Sequence, residues 1–506
     1  MILTARFYGF LALGAVLALV FSLLTSLAAA FGLMLIYDLT LLGIAWVDSR
    51  RTRDRRVTLT RHLEPRLSIG RDNAISLQVR HPKPRAPRKA KTATRSTTVI
   101  QIQDHHPTDH LTVTGLPILA QLPPPSLHQT SRILQSQTEP PSRSQLQSQA
   151  QSQSPSQSSS GSFGLTYHVH PTRRGVRRWG AIQVRQRSPW GLVWHSWRLE
   201  QPAETQVYPD LVGLRELSIR LAVQAAGNLQ QRRRWGMGTE FAELRDYGAG
   251  DDLRLLDWKA TARRGQPLVR VLEPEQEQTL VILLDRGRLM TAQIQGMQRF
   301  DWAINAALAL AVAGLHRGDR VGLGVFDREV HTWIPPQRGQ AHLSQLIEAV
   351  TPLEPVLEEP DYMGAVTTVL RQQTRRALVV ILTDLVDAIA STDLLADLAR
   401  LSPRYLPFGV ALRDPLLDQQ AQGVAIGSRS APDSRATAPF NPGHPAATNP
   451  VTAAYQQAVA LDLLAQRQVA FAQVKRQGAL VLDAPAPQVG TELVDAYLRL
   501  KARNRL

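Results

Sequence analysis

The chain has 506 residues, of which 43% are hydrophobic and 20% charged. That balance lets most of the chain bury a core and excludes global disorder. The absence of cysteine excludes a disulfide scaffold, a thiolate-ligated metal or iron–sulfur centre and thiol catalysis. Lys+Arg 58 against Asp+Glu 42 gives a formal charge of +16, which suits nucleic acid, anionic lipid or an acidic partner without choosing among them.

Phe7 to Val47 is almost wholly apolar, with Asp38 its only ionisable group apart from Tyr8 and Tyr37. One membrane span needs ~20 apolar residues, so the run is too long for one and fits two. The spacing predicts helices near 7–24 and 27–47, turning at Thr25-Ser26, as a transmembrane hairpin over 1–48. A cleaved signal peptide ending at Ala28-Ala29-Ala30 is the rival reading, but a second apolar run follows at once. Arg6 precedes the hairpin, and Arg50, Arg51, Arg53, Arg55 and Arg56 follow it. Positive residues stay on the cytoplasmic side, which predicts a protein of the cytoplasmic (inner) membrane with its soluble domains in the cytoplasm.

Residues 55–211 carry short segments of alternating polarity, such as Val57-Thr-Leu-Thr, Ile75-Ser-Leu-Gln-Val and Val99-Ile-Gln-Ile. Period two means one buried and one solvated face, and a small antiparallel β-sandwich is the simplest architecture. The Ser/Gln/Pro-rich stretch 123–162 cannot bury enough surface to order itself and is expected to be a disordered insertion. From 279 to 506 strands and helices alternate. The continuous apolar runs Leu280–Asp285 and Ala377–Asp384 read as central parallel strands of a doubly wound α/β domain. A loop insertion is expected at 421–449.

The linker segment 212–278 holds the densest cluster of chemistry-bearing residues. Gly238, Glu240, Phe241, Arg245, Tyr247, Gly250, Asp251, Asp252, Arg254, Asp257, Trp258, Lys259 and Arg263 fall within it. Asp251 sits where the N-cap of a helix over Leu253–Arg263 belongs, and Asp252 would add favourable charge to its first turn. One reading is an ion-pair and hydrogen-bond network. The other is a metal-assisted hydrolytic site built from Glu240, Asp251, Asp252, Asp257 and Lys259, whose carboxylates would then converge in one cleft with shifted pKa values. Walker A and Gly-x-Ser-x-Gly patterns are absent, so ATP hydrolysis and α/β-hydrolase chemistry lack support.

Several motifs carry a resemblance to a known family. They are Gly238-Thr-Glu-Phe241, Leu244-Arg-Asp-Tyr247, Gly250-Asp-Asp252, Arg254, Asp257-Trp-Lys-Ala260 and Ala262-Arg263. Arg173-Arg-Gly175, Ser188-Pro-Trp-Gly-Leu192 and Val207-Tyr-Pro209 add to them. Together they resemble the bacterial family of unknown function number fifty-eight, over nearly the whole chain. The resemblance implies a two-span membrane anchor, a β domain and a domain similar to von Willebrand factor type A. It also implies work beside a MoxR-type AAA+ ATPase.

Type A domains hold Mg²⁺ with an Asp-x-Ser-x-Ser loop, a Thr and a later Asp, because the hard cation needs oxygen ligands. Here the loop reads Asp285-Arg-Gly287-Arg-Leu289, so Gly287 and Leu289 stand where hydroxyls belong. Asp384 matches the last acidic position, and Thr367 and Thr368 lie too far into a predicted helix. No tight Mg²⁺ site, no other cofactor and no catalytic residue is expected. Without metal, Asp285 and Asp384 are expected to cap helices and hydrogen-bond their loops. Asp285, Gly287, Leu289 and Asp384 then mark residual metal-site positions or a partner face, since ligands of open α/β sheets gather at the carboxyl ends of strands.

The leading expectation is a membrane-anchored, non-enzymatic scaffold whose partners are lipid and a protein. The alternatives are the hydrolytic enzyme and a nucleic-acid-binding membrane protein using Gln231-Arg-Arg-Arg-Trp235. Of the partners, nucleic acid is the least expected.

Overall fold

A computed structural model describes residues 2–23, 27–53, 56–80, 98–122, 162–227, 240–273, 278–384, 392–402, 404–423 and 450–503. The turn at Thr25-Ser26, the segment Gln231–Trp235, Gly238, and nearly all of the insertions expected at 123–162 and 421–449 lie outside them. Two compact units divide the chain, Met1–Tyr208 and Pro209–Leu506.

The first unit opens with β1 (Ile2–Leu3), α1 (Ala5–Ser22) and α2 (Leu27–Arg53). Within α2, Ala29–Arg53 is the one helix among the described residues long and apolar enough to cross a membrane; α1 is a shorter apolar helix. The two pack together where Gly14 leaves no room for a side chain beside the Tyr37 ring, and Tyr37 donates to the Phe10 carbonyl at 3.1 Å. Helix α2 runs past the expected end at residue 47 and carries Arg50, Arg51 and Arg53 in its last turn, where cations favour the helix dipole.

The strands that follow are β2 (Thr58–His62), β3 (Arg66–Ser68), β4 (Asn73–Arg80), β5 (Thr98–Asp104), β6 (Leu111–Thr114) and β7 (Ile118–Leu122). After the insertion come β8 (Ser162–Pro171), β9 (Gly175–Trp179), β10 (Ile182–Arg187), β11 (Val193–Leu199) and β12 (Ala203–Tyr208). They form three sheets, ordered β1-β11-β10-β5-β7, β2-β4-β8-β6 and β3-β12-β9. The predicted alternation is present: Ile75, Leu77 and Val79 on β4, and Ile100 and Ile102 on β5, are all buried. The arrangement is more complex than a simple antiparallel pair of sheets, since β3 and β12 run parallel.

A buried polar cluster ties these sheets. Arg61 on β2 donates through Nε to Asp104 on β5 at 2.9 Å, and its Nη2 pairs with the same carboxylate. The Tyr167 hydroxyl on β8 donates to Asp104 at 2.6 Å. Arg61 also reaches the Gln201 and Gly180 carbonyls, each at 2.9 Å, and lies over the Trp179 ring. Burial, reinforced by the Asp104 charge, pushes the Tyr167 hydroxyl well above its ordinary range, so it stays a donor.

The second unit begins with α3 (Leu211–Gly227), β13 (Glu240–Asp246), α4 (Trp258–Arg264) and β14 (Leu268–Glu273). The alternating part follows: β15 (Thr279–Asp285), a small hairpin of β16 (Gln293–Ile294) and β17 (Met297–Gln298), α5 (Arg299–His316), β18 (Arg320–Phe326), β19 (Val330–Gln337), α6 (Gln340–Val350) and α7 (Tyr362–Gln372). Then come β20 (Leu378–Thr383), α8 (Thr392–Leu401), β21 (Leu406–Arg413), α9 (Pro415–Ala421), α10 (Pro450–Arg476), β22 (Leu480–Pro485) and α11 (Val489–Ala502).

The main sheet has the order β19-β18-β15-β20-β21-β22. All its pairs are parallel except β18 with β19. Alternate residues of β15 feed two cores. Leu280, Ile282 and Leu284 face α3, α5 and α11, whereas Val281 and Leu283 face α7, α8 and α10. Burial on both faces is why these strands read as unbroken apolar runs. Pro335 and Pro336 fall on β19, where an edge strand tolerates a missing N–H.

Replacing Arg61 with Met is expected to leave the Asp104 carboxylate buried and unpaired, at a loss of ~3–5 kcal/mol. Urea unfolding of the detergent-solubilised chain, followed by tryptophan fluorescence, measures it. An unchanged midpoint would show that the cluster does not hold the sheets.

Candidate functional site

Three strands of the main sheet end in aspartates at the same carboxyl edge. Asp285 closes β15, Asp327 follows β18 and Asp384 follows β20. All three are buried, so none presents its carboxylate to a partner directly.

Asp285 is held by neutral donors. Its Oδ1 accepts from the Gly287 amide at 2.7 Å. Its Oδ2 accepts from the Thr383 hydroxyl at 2.6 Å and the Tyr362 hydroxyl at 3.2 Å. Burial raises its pKa to about 6 against these hydrogen bonds, and the nearby Asp384 charge adds to the rise. Sequence reasoning does not single out Tyr362 or Thr383. Thr383 adjoins Asp384 in the chain, but nothing in the spacing indicates that it turns towards Asp285. Thr368 spends its hydroxyl on the Gly364 carbonyl of its own helix at 2.9 Å.

Asp384 lies between two guanidiniums. Arg299, at the start of α5, reaches Oδ2 at 2.6 Å. Arg467, on α10, reaches Oδ1 at 2.8 Å. The chain of charges continues. Arg467 pairs with Asp483 at 3.1 Å, Asp483 with Arg413 at 2.7 Å, and Arg413 with Asp418 at 3.1 Å. Cations and anions thus alternate from α5 across β20, α10, β22 and β21 to α9. Among the described residues neither Asp285 nor Asp384 caps a helix, contrary to expectation, although Asp285 does bond its own loop at Gly287. Guanidiniums occupy both carboxylate oxygens of Asp384.

Asp327 accepts from Arg286 at 2.8 Å and lies 2.7 Å from His331. Burial works to raise its pKa. The Glu329 amide, Arg286 and His331 outweigh that and hold the carboxyl below its usual range.

Every carboxylate oxygen of Asp285 and Asp384 therefore accepts from a protein donor. Gly287 is also enclosed: a Cβ there would stand 2.9 Å from both the Glu358 carbonyl and the Pro360 ring. The serine of a metal loop has no space at that position. Leu289 is partly buried and offers no oxygen. The donor set does not match the octahedron of oxygens that Mg²⁺ requires.

The motif segment forms a separate arm. Strands β13 and β14 make a two-stranded antiparallel ribbon with a shift between Phe241 and Glu243. The predicted helix over Leu253–Arg263 is replaced by a single 3₁₀ turn, Leu253–Leu255, and α4. Leu256 is extended between them and bridges Val269, which breaks the run. Asp252 caps the turn through the Arg254 amide at 3.0 Å. Asp257 caps α4 through the Ala260 amide at 3.0 Å. Asp251 is not a cap. It accepts from the Gly248 amide at 2.8 Å and pairs with Arg245. Gly250 has φ +108°, a conformation that favours glycine.

Asp251 and Asp257 do not converge. The Gly248 amide and Arg245 hold Asp251 below the ordinary carboxylate range. The Ala260 amide and Arg270, the latter at 2.9 Å, do the same for Asp257. A general acid would need the opposite shift. Glu240 and Phe241 lie on β13. Leu253, Trp258 and Lys259 are exposed, as are Arg254 and Arg263, and Trp258 is 72% exposed. Tyr247, just past the end of β13, is also exposed. Among the described residues no group of three His, Asp or Glu could hold a metal ion.

Residues 243–422 match the family model described as protein of unknown function DUF58. The ribbon from Glu243 on, α4 and the main sheet through α9 fall within it; the motifs at 173–175, 188–192, 207–209 and 238–241 lie outside the match. An uncharacterised protein of Mycobacterium tuberculosis is 26% identical over 182 residues, covering 36% of this chain and 56% of that one. The uncharacterised protein YeaD of Bacillus subtilis is 23% identical over 190 residues, covering 37% and 44%. The chain thus spans about half the length of the curated relatives it matches.

Among solved structures, an aerotolerance-related membrane protein of Bacteroides fragilis aligns at 14% identity and TM-score 0.28, over 45% of this chain and 99% of that one. BatB of Bacteroides thetaiotaomicron aligns at 13% and 0.28 with the same coverage. The SpRpn10 VWA domain aligns at 11% and 0.26, over 43% and 94%. Scores this low carry no fold assignment, which rests on the strand order of the α/β unit itself.

Two outcomes test this edge. The carboxyl of Asp285 is raised from 3.8 to about 6, so the protonated form favours the fold. Its contribution is fully present below the unfolded pKa and is lost as pH rises through the folded one. Relative to Asp285→Asn, the wild type should therefore lose on the order of 3 kcal/mol between about pH 4 and pH 6. Parallel stability curves for the two proteins would exclude it. Restoring hydroxyls with Gly287→Ser and Leu289→Ser should yield no Mg²⁺ binding by calorimetry, and the Gly287 change should cost about 1–3 kcal/mol through overpacking.

Proposed function

We propose that this protein is a membrane-anchored, non-catalytic scaffold that presents its α/β unit to a protein partner. The observation that carries the reading is the exposed Trp258 with Leu253, on an arm whose Asp251 and Asp257 are engaged internally. Large apolar side chains on a charge-paired frame are what an interface anchor looks like. The carboxyl edge of the main sheet offers a rim of exposed charges rather than a metal. Arg288 pairs there with Glu359, and Arg328 with Glu358.

The strand order, with β15 central and a reversed edge strand, supports a type A-like domain, and the engaged oxygens of Asp285 and Asp384 support its working without resident Mg²⁺. The apolar hairpin supports anchoring by two spans, and the arginines that end α2 support a cytoplasmic orientation. The family resemblance points to a MoxR-type AAA+ ATPase as the partner. The hydrolytic reading is weakened because Asp251, Asp252 and Asp257 of its cluster engage separate partners.

The test is a native pull-down with the detergent-solubilised full-length chain, ATP and Mg²⁺, read by mass spectrometry. Capture of an AAA+ ATPase, with affinity falling about 30-fold on Trp258→Ala and unchanged on Asp285→Asn, is the expected result. Capture indifferent to Trp258 would move the interface elsewhere. Recovery of no partner would remove the scaffold reading.

A further inference from the structure

The Ser188-Pro-Trp-Gly-Leu192 turn is not used by any site described above, yet it is where the apolar hairpin joins the β sheets. Strand β1 extends the five-stranded sheet, with Ile2 opposite Trp194 and Leu3 opposite Val193. Thr4 donates its hydroxyl to the Gly191 carbonyl at 2.7 Å, and its amide donates to the Leu192 carbonyl at 3.0 Å. From α2, Asp48 accepts from the Trp190 amide at 3.3 Å. Phe7, Leu41 and Ala45 share a core cluster with Leu192 and Val193. The hairpin is therefore a built-in part of this unit, and the first turn of α1 and last turns of α2 meet at the 188–192 turn.

Cations gather at that joint. Gly191 has φ +72°, and the space a Cβ would take there is bordered by Arg187 Nε at 3.1 Å and Arg6 Nη1 at 3.3 Å. A pair of guanidiniums thus closes over Gly191, where a side chain would be crowded. Arg187 Nε is buried with no hydrogen-bond partner, and neither arginine has a carboxylate partner among the described residues. Arg51 lies over the Trp190 ring at 4.8 Å, and Arg50 over the Trp46 ring at 4.2 Å. Among the described residues Asp48 is the carboxylate that reaches the turn, and it is fully buried. Like charges this close favour an anion between them, and a desolvated guanidinium matches phosphate through paired N–H groups. Tryptophan with arginine at the ends of apolar helices marks the headgroup level of a bilayer.

We propose that Arg6 and Arg187, side by side over Gly191, bind the phosphate of an anionic phospholipid headgroup. This rests on the membrane-anchored reading above. Gly191, with no Cβ, lets the two guanidiniums approach over the turn, the two arginines hold the phosphate, and the Arg51–Trp190 stack borders the pair. The bound lipid neutralises the arginines and fixes the hairpin against the sheet.

Native mass spectrometry of the full-length chain, in detergent with added phosphatidylglycerol or phosphatidylcholine, tests the site. One phosphatidylglycerol should be retained, about thirtyfold over phosphatidylcholine, as expected from two arginines near the surface. Arg6→Gln with Arg187→Gln should abolish the preference, and Asp48→Asn should keep it. Circular dichroism shows whether the double variant still folds. If it does not, Arg6→Lys with Arg187→Lys replaces it and should weaken the preference, because the paired N–H geometry is lost. Equal retention of the two lipids, or a preference unchanged in the folded variants, overturns the proposal. Displacement by millimolar inorganic phosphate also overturns it, by assigning the arginine pair to a free anion. Alkaline carbonate extraction separates the two readings. A chain released from membranes refutes the anchor itself, whereas a chain that stays but shows no preference refutes only the headgroup site.

Discussion

Asp384 sits where the central strand β20 ends, held between Arg299 and Arg467, and the order of the surrounding unit depends on that arrangement. A buried carboxylate is costly unless paired and hydrogen-bonded. Here the cations come from two helices on opposite faces of the sheet. The pairing continues through Asp483, Arg413 and Asp418, so one alternating line of charge links α5, α10, β22, β21 and α9. The line has no net charge. It occupies the edge at which open α/β sheets commonly bind ligands, and it makes that edge a structural joint.

The opposite edge of the sheet and the β unit use the same chemistry. Asp319, just before β18, is buried and receives the Tyr497 hydroxyl and Lys501, both from α11. Asp104 receives Arg61 and Tyr167. In each case the acid and its donors are far apart in sequence, so the contact forms only when separate elements pack. Such clusters favour one arrangement, because another would leave a buried charge unpaired. The joint at Gly191 differs, with more cations than anions within the described residues.

Much of the architecture is legible from pattern. The runs Leu280–Asp285 and Ala377–Asp384 identify β15 and β20 because both faces of a central strand are buried. The alternation in Ile75–Val79 identifies a half-buried strand for the complementary reason. The stretch Leu253–Arg263 resists this kind of reading. Its composition suits one helix, but two successive caps, Asp252 and Asp257, and a bridge from Leu256 to Val269 divide it. Asp251 resembles a cap because it follows glycine; the Gly248 turn and Arg245 claim it instead.

Local composition by itself determined the apolar hairpin, the two kinds of strand, the missing hydroxyls at Gly287 and Leu289 and the resemblance carried by the motifs. Those are properties of residue type and spacing, which the chain states directly. Only the tertiary structure decided what the aspartates do. Arg299 and Arg467 are distant in the chain and reach Asp384 from different helices, and Tyr362 and Thr383 meet Asp285 from different elements. Nor does any spacing predict that the 188–192 turn receives the first residues of the chain. A buried charge selects its partner by position in the folded molecule, and position is set by packing rather than by sequence order.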